Sequence, residues 1–157
     1  MFWLSVAAGC ATQPTTAPDF GDDCIIGRAS VQDGDSLEIR GQRIRLEGID
    51  APEYGQTCDR DGKTERCGRI AASHLRSEIG WQPVQCASQG YDRYGRMLAY
   101  CYQDGTDLNE MMVRSGHAVA YRQYTRRYVS AETEARRAGR GIWATDFDMP
   151  WDWRRVN

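Results

Sequence analysis

The chain has 157 residues, 41% of them hydrophobic, and a formal net charge of −2. That length makes a single domain whose core needs neither a structural metal nor a partner to stand. The charge excludes the broad basic surface that drives nonspecific duplex binding, so any contact with nucleic acid is local.

Residues 1–10, MFWLSVAAGC, are apolar and end in small residues before a Cys. They read as a shortened secretion signal of the lipoprotein kind, without a basic start and with Ala7 where a larger aliphatic is usual. Residues 11–23 read as a polar Pro/Thr linker, which leaves 24–157 as the globular domain. Export follows, to the periplasm or envelope as a lipoprotein or to the medium, with anchoring to a membrane if Cys10 carries lipid.

From Ile25 to Asp50 the pattern alternates and turns, at Asp33-Gly34 and at Gly41-Gln42, like a three-stranded meander. Arg66 to Ile79 predicts a helix with Ile70, Ala71, His74, Leu75 and Ile79 on one face and a stop at Gly80. Two strands follow, Val84 to Ser88 and Arg96 to Tyr102, joined by the DRYGR loop. Asp107 caps a short helix that Gly116 ends. A last helix runs from about Ser130, a possible cap, to Ala138, with Glu132, Glu134, Arg136 and Arg137 towards solvent. The expectation is an α+β, mainly β domain: a five-stranded OB-fold barrel with three helices, in the order βββαββαα.

Six cysteines without a C-x-x-C spacing, beside only two His, argue for disulfides and an oxidising compartment rather than zinc. In a hairpin folded about Arg93 and Tyr94, Cys86 faces Cys101 at a distance a disulfide spans. Cys58 and Cys67 would close a small loop. Cys10 is then lipidated with Cys24 free, or the two are joined.

Three blocks carry the chemistry: VQDGDS ending at Ser36, RLEGIDAPE from Arg45 to Glu53, and DRYGR from Asp92 to Arg96. They place the carboxylates Asp35, Asp50 and Glu53 and the guanidinium groups Arg45 and Arg96 on short strand-like segments. Oxygen ligands suit a hard divalent cation, and Arg forks match phosphate oxygens as charge builds during attack. Asp35 and Asp50 with a loop carbonyl make a half-cage for such a cation, and Glu53, past Pro52, could orient or deprotonate a water beside it. A DG pair alone is more often a plain turn. Arg45 lies an odd number of residues from Asp50, so simple alternation sets them on opposite faces unless a bulge or twist near Gly48 intervenes; without one Arg45 is a surface charge. Arg96, taken alone, is a turn residue.

In this order and spacing, DGDS, RLEGIDAPE, DRYGR, the stretch LNEMMVRSGHAVAYRQY from Leu108 to Tyr124 and the closing GIW resemble the staphylococcal nuclease (thermonuclease) family, over about Gly27 to Trp143. The resemblance implies an OB-fold barrel with three helices and a calcium-dependent hydrolase of DNA and RNA. It implies Asp35, Asp50 and the Ala51 carbonyl as Ca²⁺ ligands, Glu53 as general base, Arg45 and Arg96 as phosphate-binding catalytic arginines, Tyr94 and Tyr121 as substrate-binding, and Asp33 as an acid behind the ligands. Ala51 stands where Thr is familiar, and the Lys-rich loop of the type member has no counterpart near Gly41. PWDWRR, Pro150 to Arg155, runs past the familiar end and reads as an aromatic clamp on the barrel.

The leading reading is an exported, monomeric, calcium-dependent nuclease whose partner is DNA, RNA or both. A non-catalytic nuclease-fold module binding nucleic acid or protein is the alternative. A structural envelope lipoprotein is a third reading, and it expects no effect of metal on stability.

Overall fold

The computed structural model describes residues 23–157. The signal-like segment and linker at 1–23, apart from Asp23, and the fate of Cys10 lie outside the described residues. No cysteine among the described ones is free, which removes the alternative of an unpaired Cys24.

The first half of the domain contains β1 (Cys24–Gly27), β2 (Ala29–Asp33), β3 (Ser36–Ile39), β4 (Gln42–Leu46), β5 (Ile49–Asp50), β6 (Cys58–Arg60), β7 (Lys63–Glu65) and α1 (Cys67–Ile79). The second contains β8 (Val84–Tyr91), β9 (Met97–Gln103), β10 (Thr106–Asp107), α2 (Leu108–Arg114), β11 (Val119–Ala120), α3 (Val129–Ala138), a 3₁₀ turn at Gly141–Ala144 and α4 (Pro150–Val156). Six strands lie in the order β1-β8-β9-β4-β3-β2, with β10 added to β9. Only the β4–β9 pair is parallel within this sheet. The two outer strands, β1 and β2, are separated by a single residue, Arg28, so they are two halves of one bent segment. The sheet therefore curls until its first and last strands meet through the backbone.

The α+β, mainly β class stands, and the curled sheet is OB-like, but the counts differ from five strands and three helices. Strand–turn–strand pieces too short to alternate, such as β5, β6, β7 and β11, give no periodic signal, and α4, which begins at Pro150, is seven residues without an apolar repeat. The second hairpin turn sits at Arg40-Gly41, one residue earlier than expected. Both residues have positive φ (49° and 80°), the left-handed pair that a two-residue hairpin requires between Ile39 and Gln42.

Alternation decides what the barrel buries. Leu37, Ile39, Ile44 and Leu46 point inwards, while Ser36, Glu38, Arg43 and Arg45 do not. α1 covers this core with Ala71, Ala72, Leu75 and Ile79. Of the expected face Ala71, Leu75 and Ile79 are buried, but Ile70 is 43% exposed at its edge. Asp107 caps α2 as its carboxylate accepts from the Glu110 N–H at 3.0 Å.

The last expected helix begins one residue before Ser130, and the position preceding it is Tyr128, with no side-chain cap. Glu132 is only 4% exposed rather than solvent-facing. Its carboxylate accepts from the Ala120 N–H at 2.7 Å and from Arg122 at 2.8 Å, which makes burial tolerable.

Cys86 faces Cys101 in the β8–β9 ladder, and the two are joined by a disulfide with Cα atoms 4.1 Å apart. Cys58 and Cys67 form a second disulfide. Around it lies a smaller core of Val119 and Ile142, bordered by Trp143, Phe147, Met149 and Trp151. Trp151 of PWDWRR packs on this smaller core rather than on that of the barrel, and the segment also carries an arginine into the site described next.

Candidate metal and phosphate site

The β2–β3 hairpin turns at Gly34-Asp35, and the adjoining Ser36 pairs with Arg45 on β4. That register sets Arg45 beside the turn, with Nη1 2.9 Å from Asp35 Oδ2. The strand then breaks at Gly48, whose φ is +79° and whose missing side chain leaves room for Thr125 and the Tyr128 ring. This break overrides simple alternation. After it, β5 presents Asp50 on the same side as Arg45, with Arg45 Nη2 3.4 Å from Asp50 Oδ1. Arg45 is thus a half-buried bridge between two buried carboxylates rather than a surface charge.

Asp35 and Asp50 are both buried, and Asp35 Oδ2 also accepts from the Ala51 N–H at 2.8 Å. Burial disfavours the Asp35 charge, but Arg45, the bond from Asp33 and the Ala51 amide outweigh it and hold its pKa below the ordinary range. For Asp50 burial wins and its pKa rises, despite a hydrogen-bonded arginine. Asp33 accepts from the Asp35 N–H and from the Ser36 hydroxyl. Burial first, then the neighbouring Asp35 charge, push its pKa up to about 7.

Glu53 leaves the sheet after Pro52 on a loop fixed from two sides. The buried Gln56 side chain accepts from the Glu53 N–H and donates to the Asp148 carbonyl at 2.7 Å. Gly68, in the first turn of α1, packs so closely that a β-carbon there would collide with the Glu53 carbonyl. The Glu53 carboxylate is joined to that of Asp50 by Arg154 of α4. Arg154 Nη1 donates to Glu53 Oε1 at 2.7 Å and to Asp50 Oδ1 at 3.0 Å, while Nη2 donates to Asp50 Oδ2 at 2.8 Å.

A cavity of about 390 Å³ opens beside this cluster, lined among others by Arg45, Gly48, Tyr94, Arg96, Tyr121 and Tyr124. Arg96 follows Gly95 in the β8–β9 turn, and Asp92 holds its Nε at 2.7 Å, so the guanidinium is fixed at the cavity edge instead of waving from the turn. β11 pairs with β5, Val119 opposite Asp50, and the Tyr121 N–H donates to the Gly48 carbonyl; this sets the Tyr121 ring on the rim. Tyr94 is 58% exposed on the other side, with the Arg93 guanidinium over its ring.

The eight residues singled out in the sequence therefore fall into two adjoining groups that share Arg45: Asp35, Asp50, Ala51 and Glu53 form the acidic cluster that it bridges, and Arg96, Tyr94 and Tyr121 line the cavity with it. Among the described residues no three His, Cys, Asp or Glu side chains form a ready metal-holding group. A cation here would draw on the two Asp carboxylates, the Ala51 carbonyl and water. Arg154, Gln56 and Glu132 were missed. Only the approach of distant segments gives them roles, and no local pattern announces it.

Residues 43–145 match the family described as "Staphylococcal nuclease homologue". The chain is 43% identical over 123 residues to "Succinoglycan biosynthesis protein ExoI" of Rhizobium meliloti (strain 1021), covering 76% of this chain and 64% of that one, so it spans less than two thirds of that relative. It is 38% identical over 132 residues to an "Uncharacterized endonuclease" of Escherichia coli O157:H7, 79% of this chain and 80% of that one. With "Micrococcal nuclease" of Shigella flexneri it shares 33% over 145 residues, 81% and 78% of the two chains.

Proposed function

The chain belongs to the staphylococcal nuclease family, and from that premise we propose that it is a metal-dependent nuclease that hydrolyses phosphodiester bonds of DNA, RNA or both, with calcium as its cation. The observation that carries this reading is Arg45 bridging Asp35 and Asp50 at the edge of a cavity that Arg96 also lines.

The residues fit a hard cation. Their donors are all oxygen, no imidazole or thiol competes, and the few anionic ligands suit a larger ion that tolerates irregular coordination with water better than magnesium. A bound cation would supply positive charge against the phosphate and help to orient the attacking water.

The remaining steps belong to the chain's own groups. A phosphodiester seated in the cavity meets two guanidinium forks, each able to give paired hydrogen bonds to oxygens whose charge grows as attack proceeds. Arg45 stays protonated at any working pH, its pKa raised by Asp35 and Asp50. Glu53 takes the proton from the attacking water, and Tyr94 and Tyr121 offer ring faces to the flanking bases or sugars. The two disulfides support export to an oxidising compartment. A monomer of this size needs no partner to complete the site.

The test is cleavage of single- and double-stranded DNA and RNA by the purified protein with calcium, magnesium or excess chelator. Cleavage restored by calcium after chelation supports the reading. Undiminished cleavage in chelator ends the metal part of it.

A further inference from the structure

The α4 helix lies beyond the segment that matches the family, 43–145, yet it reaches into the family's acidic cluster. Arg154 makes three hydrogen bonds there, two to Asp50 and one to Glu53, and with Arg45 it engages both Asp50 oxygens. Its neighbour Arg155 pairs with Asp152 on the same helix, so the approach of Arg154 is particular to that residue.

We infer that Arg154 is a resident counter-cation for the acidic site, and that a divalent cation is taken up only as Arg154 withdraws and α4 loosens. Arg154 thereby sets the cation affinity of the site. The inference rests on the metal-dependent reading above.

Three observations carry it. The first is occupancy: Asp50 is fully buried and its two oxygens already accept three guanidinium bonds, two of them from Arg154, so a cation taken up there sits against the Arg154 charge unless that side chain withdraws. The second is charge. Asp35, Asp50 and Glu53 face Arg45 and Arg154, a cluster with one net negative charge; with Arg154 withdrawn it carries two, which a divalent cation neutralises. The third is attachment. α4 has seven residues, too few to hold helical form alone, and its docking depends on tethers at its two ends. Gln56 holds the Asp148 carbonyl at the start, Trp151 rests against Tyr121 with ring centroids 5.7 Å apart, and Arg154 is the polar tether near the end. The ring contact places the strap against the rim of the phosphate cavity, so loosening it would also widen access.

Calcium titration by calorimetry on the full chain and on Arg154→Gln, with amide hydrogen exchange over residues 150–156, tests this. Arg154→Gln should bind calcium about tenfold more tightly, within the usual range of coupling between two linked events. Calcium should speed exchange of the α4 amides in the unsubstituted chain. Asp50→Asn, without any metal, should speed it as well, because the tether loses its charge. Equal or weaker calcium affinity in a folded Arg154→Gln overturns the inference and leaves the nuclease reading standing. Failure of both proteins to take up calcium, with cleavage persisting in chelator, overturns the metal reading instead. The metal-free exchange of Asp50→Asn still decides whether Arg154 holds α4, and unchanged exchange there refutes the tether.

Discussion

Arg45 and Asp35 sit on adjoining arms of one hairpin system, and the 2.9 Å contact between Arg45 Nη1 and Asp35 Oδ2 follows from the pairing of Ser36 with Arg45. An arginine so placed has two tasks: it neutralises buried carboxylates and keeps a face towards the cavity. Lysine would keep the charge but not the fork. Arg45→Lys and Arg96→Lys should each lower kcat by about 10² to 10³, the usual effect of losing one charge-assisted donor to a transition state. Steady-state cleavage by folded variants checks this. A Lys variant with near-normal kcat would remove that arginine from the reaction.

Glu53 and the two aspartates should separate by readout. Glu53→Gln should depress kcat while calcium binding stays within a few-fold of the parent, whereas Asp35→Ala and Asp50→Ala should weaken calcium binding itself, each removing one of few anionic donors. Calorimetry beside a cleavage assay distinguishes them. If Glu53→Gln loses calcium as badly as the Asp variants, Glu53 is a ligand and the base lies elsewhere.

His117 stacks on His74 with ring centroids 3.9 Å apart, and Ser115 Oγ lies 2.9 Å from its Nδ1. Burial first, then the His74 charge, lower the His117 pKa to about 4; burial also lowers that of His74, against the pull of Glu78. The unfolded chain therefore binds a proton that the folded chain refuses between about pH 6.5 and 4. Stability from this group is complete above pH 6.5 and is lost on acidification towards pH 4, by at most about 3 kcal/mol. Denaturant melts at pH 7.5 and 4.5 should show that loss, and His117→Phe should reduce it. An equal pH slope in the two proteins would refute the assignment.

Asn109 is fully buried in α2. It accepts from the Cys101 N–H and donates to the Glu47 and Ala99 carbonyls, fastening the helix to the turn that aims Asp50. Asn109→Leu leaves the Cys101 N–H and the Glu47 carbonyl without this partner, while the Ala99 carbonyl keeps the Glu47 N–H, and should cost about 2 kcal/mol or more. Thermal or denaturant unfolding measures it; a loss below about 1 kcal/mol would mean that the backbone finds other partners.

The Cys86–Cys101 bridge closes a loop of about the size for which chain-entropy arguments give roughly 3 kcal/mol. Non-reducing peptide mapping of protein produced in an oxidising compartment should recover it together with Cys58–Cys67. The Cys86→Ala, Cys101→Ala double variant should unfold at correspondingly lower denaturant. Free thiols at either position would refute the pairing.

What the sequence revealed divides along the range of the interactions. The meander, α1, the Asp107 cap and the Cys86–Cys101 register are written in local periodicity and in hairpin symmetry, both of which a linear pattern records. The acids and arginines were legible because their motifs are contiguous. Arg45 joining Asp50 was legible only as a condition, a bulge or twist near Gly48, because the reason for the break there lies in Thr125 and Tyr128. Gln56, Glu132 and Arg154 were illegible for the same reason: each satisfies a partner 92, 12 or 104 positions away. The face of α1 failed at Ile70 because Ala72, a weak apolar marker, holds the buried place.

The parallel β4–β9 ladder sets Arg45 opposite Leu98, two positions from Arg96, across more than half of the domain's first hundred residues. A pairing of such separation is among the later events in folding, because the chain must close a long loop before the contacts reward it. A nascent chain that has emerged only through α1 already carries Asp35, Asp50, Glu53 and Arg45, yet no wall exists opposite them. The cavity is complete only once β9 and the later segment with Tyr121 and Tyr124 are in place. A nuclease built this way has no complete site while it is still being made, and its activity begins with completion of the fold.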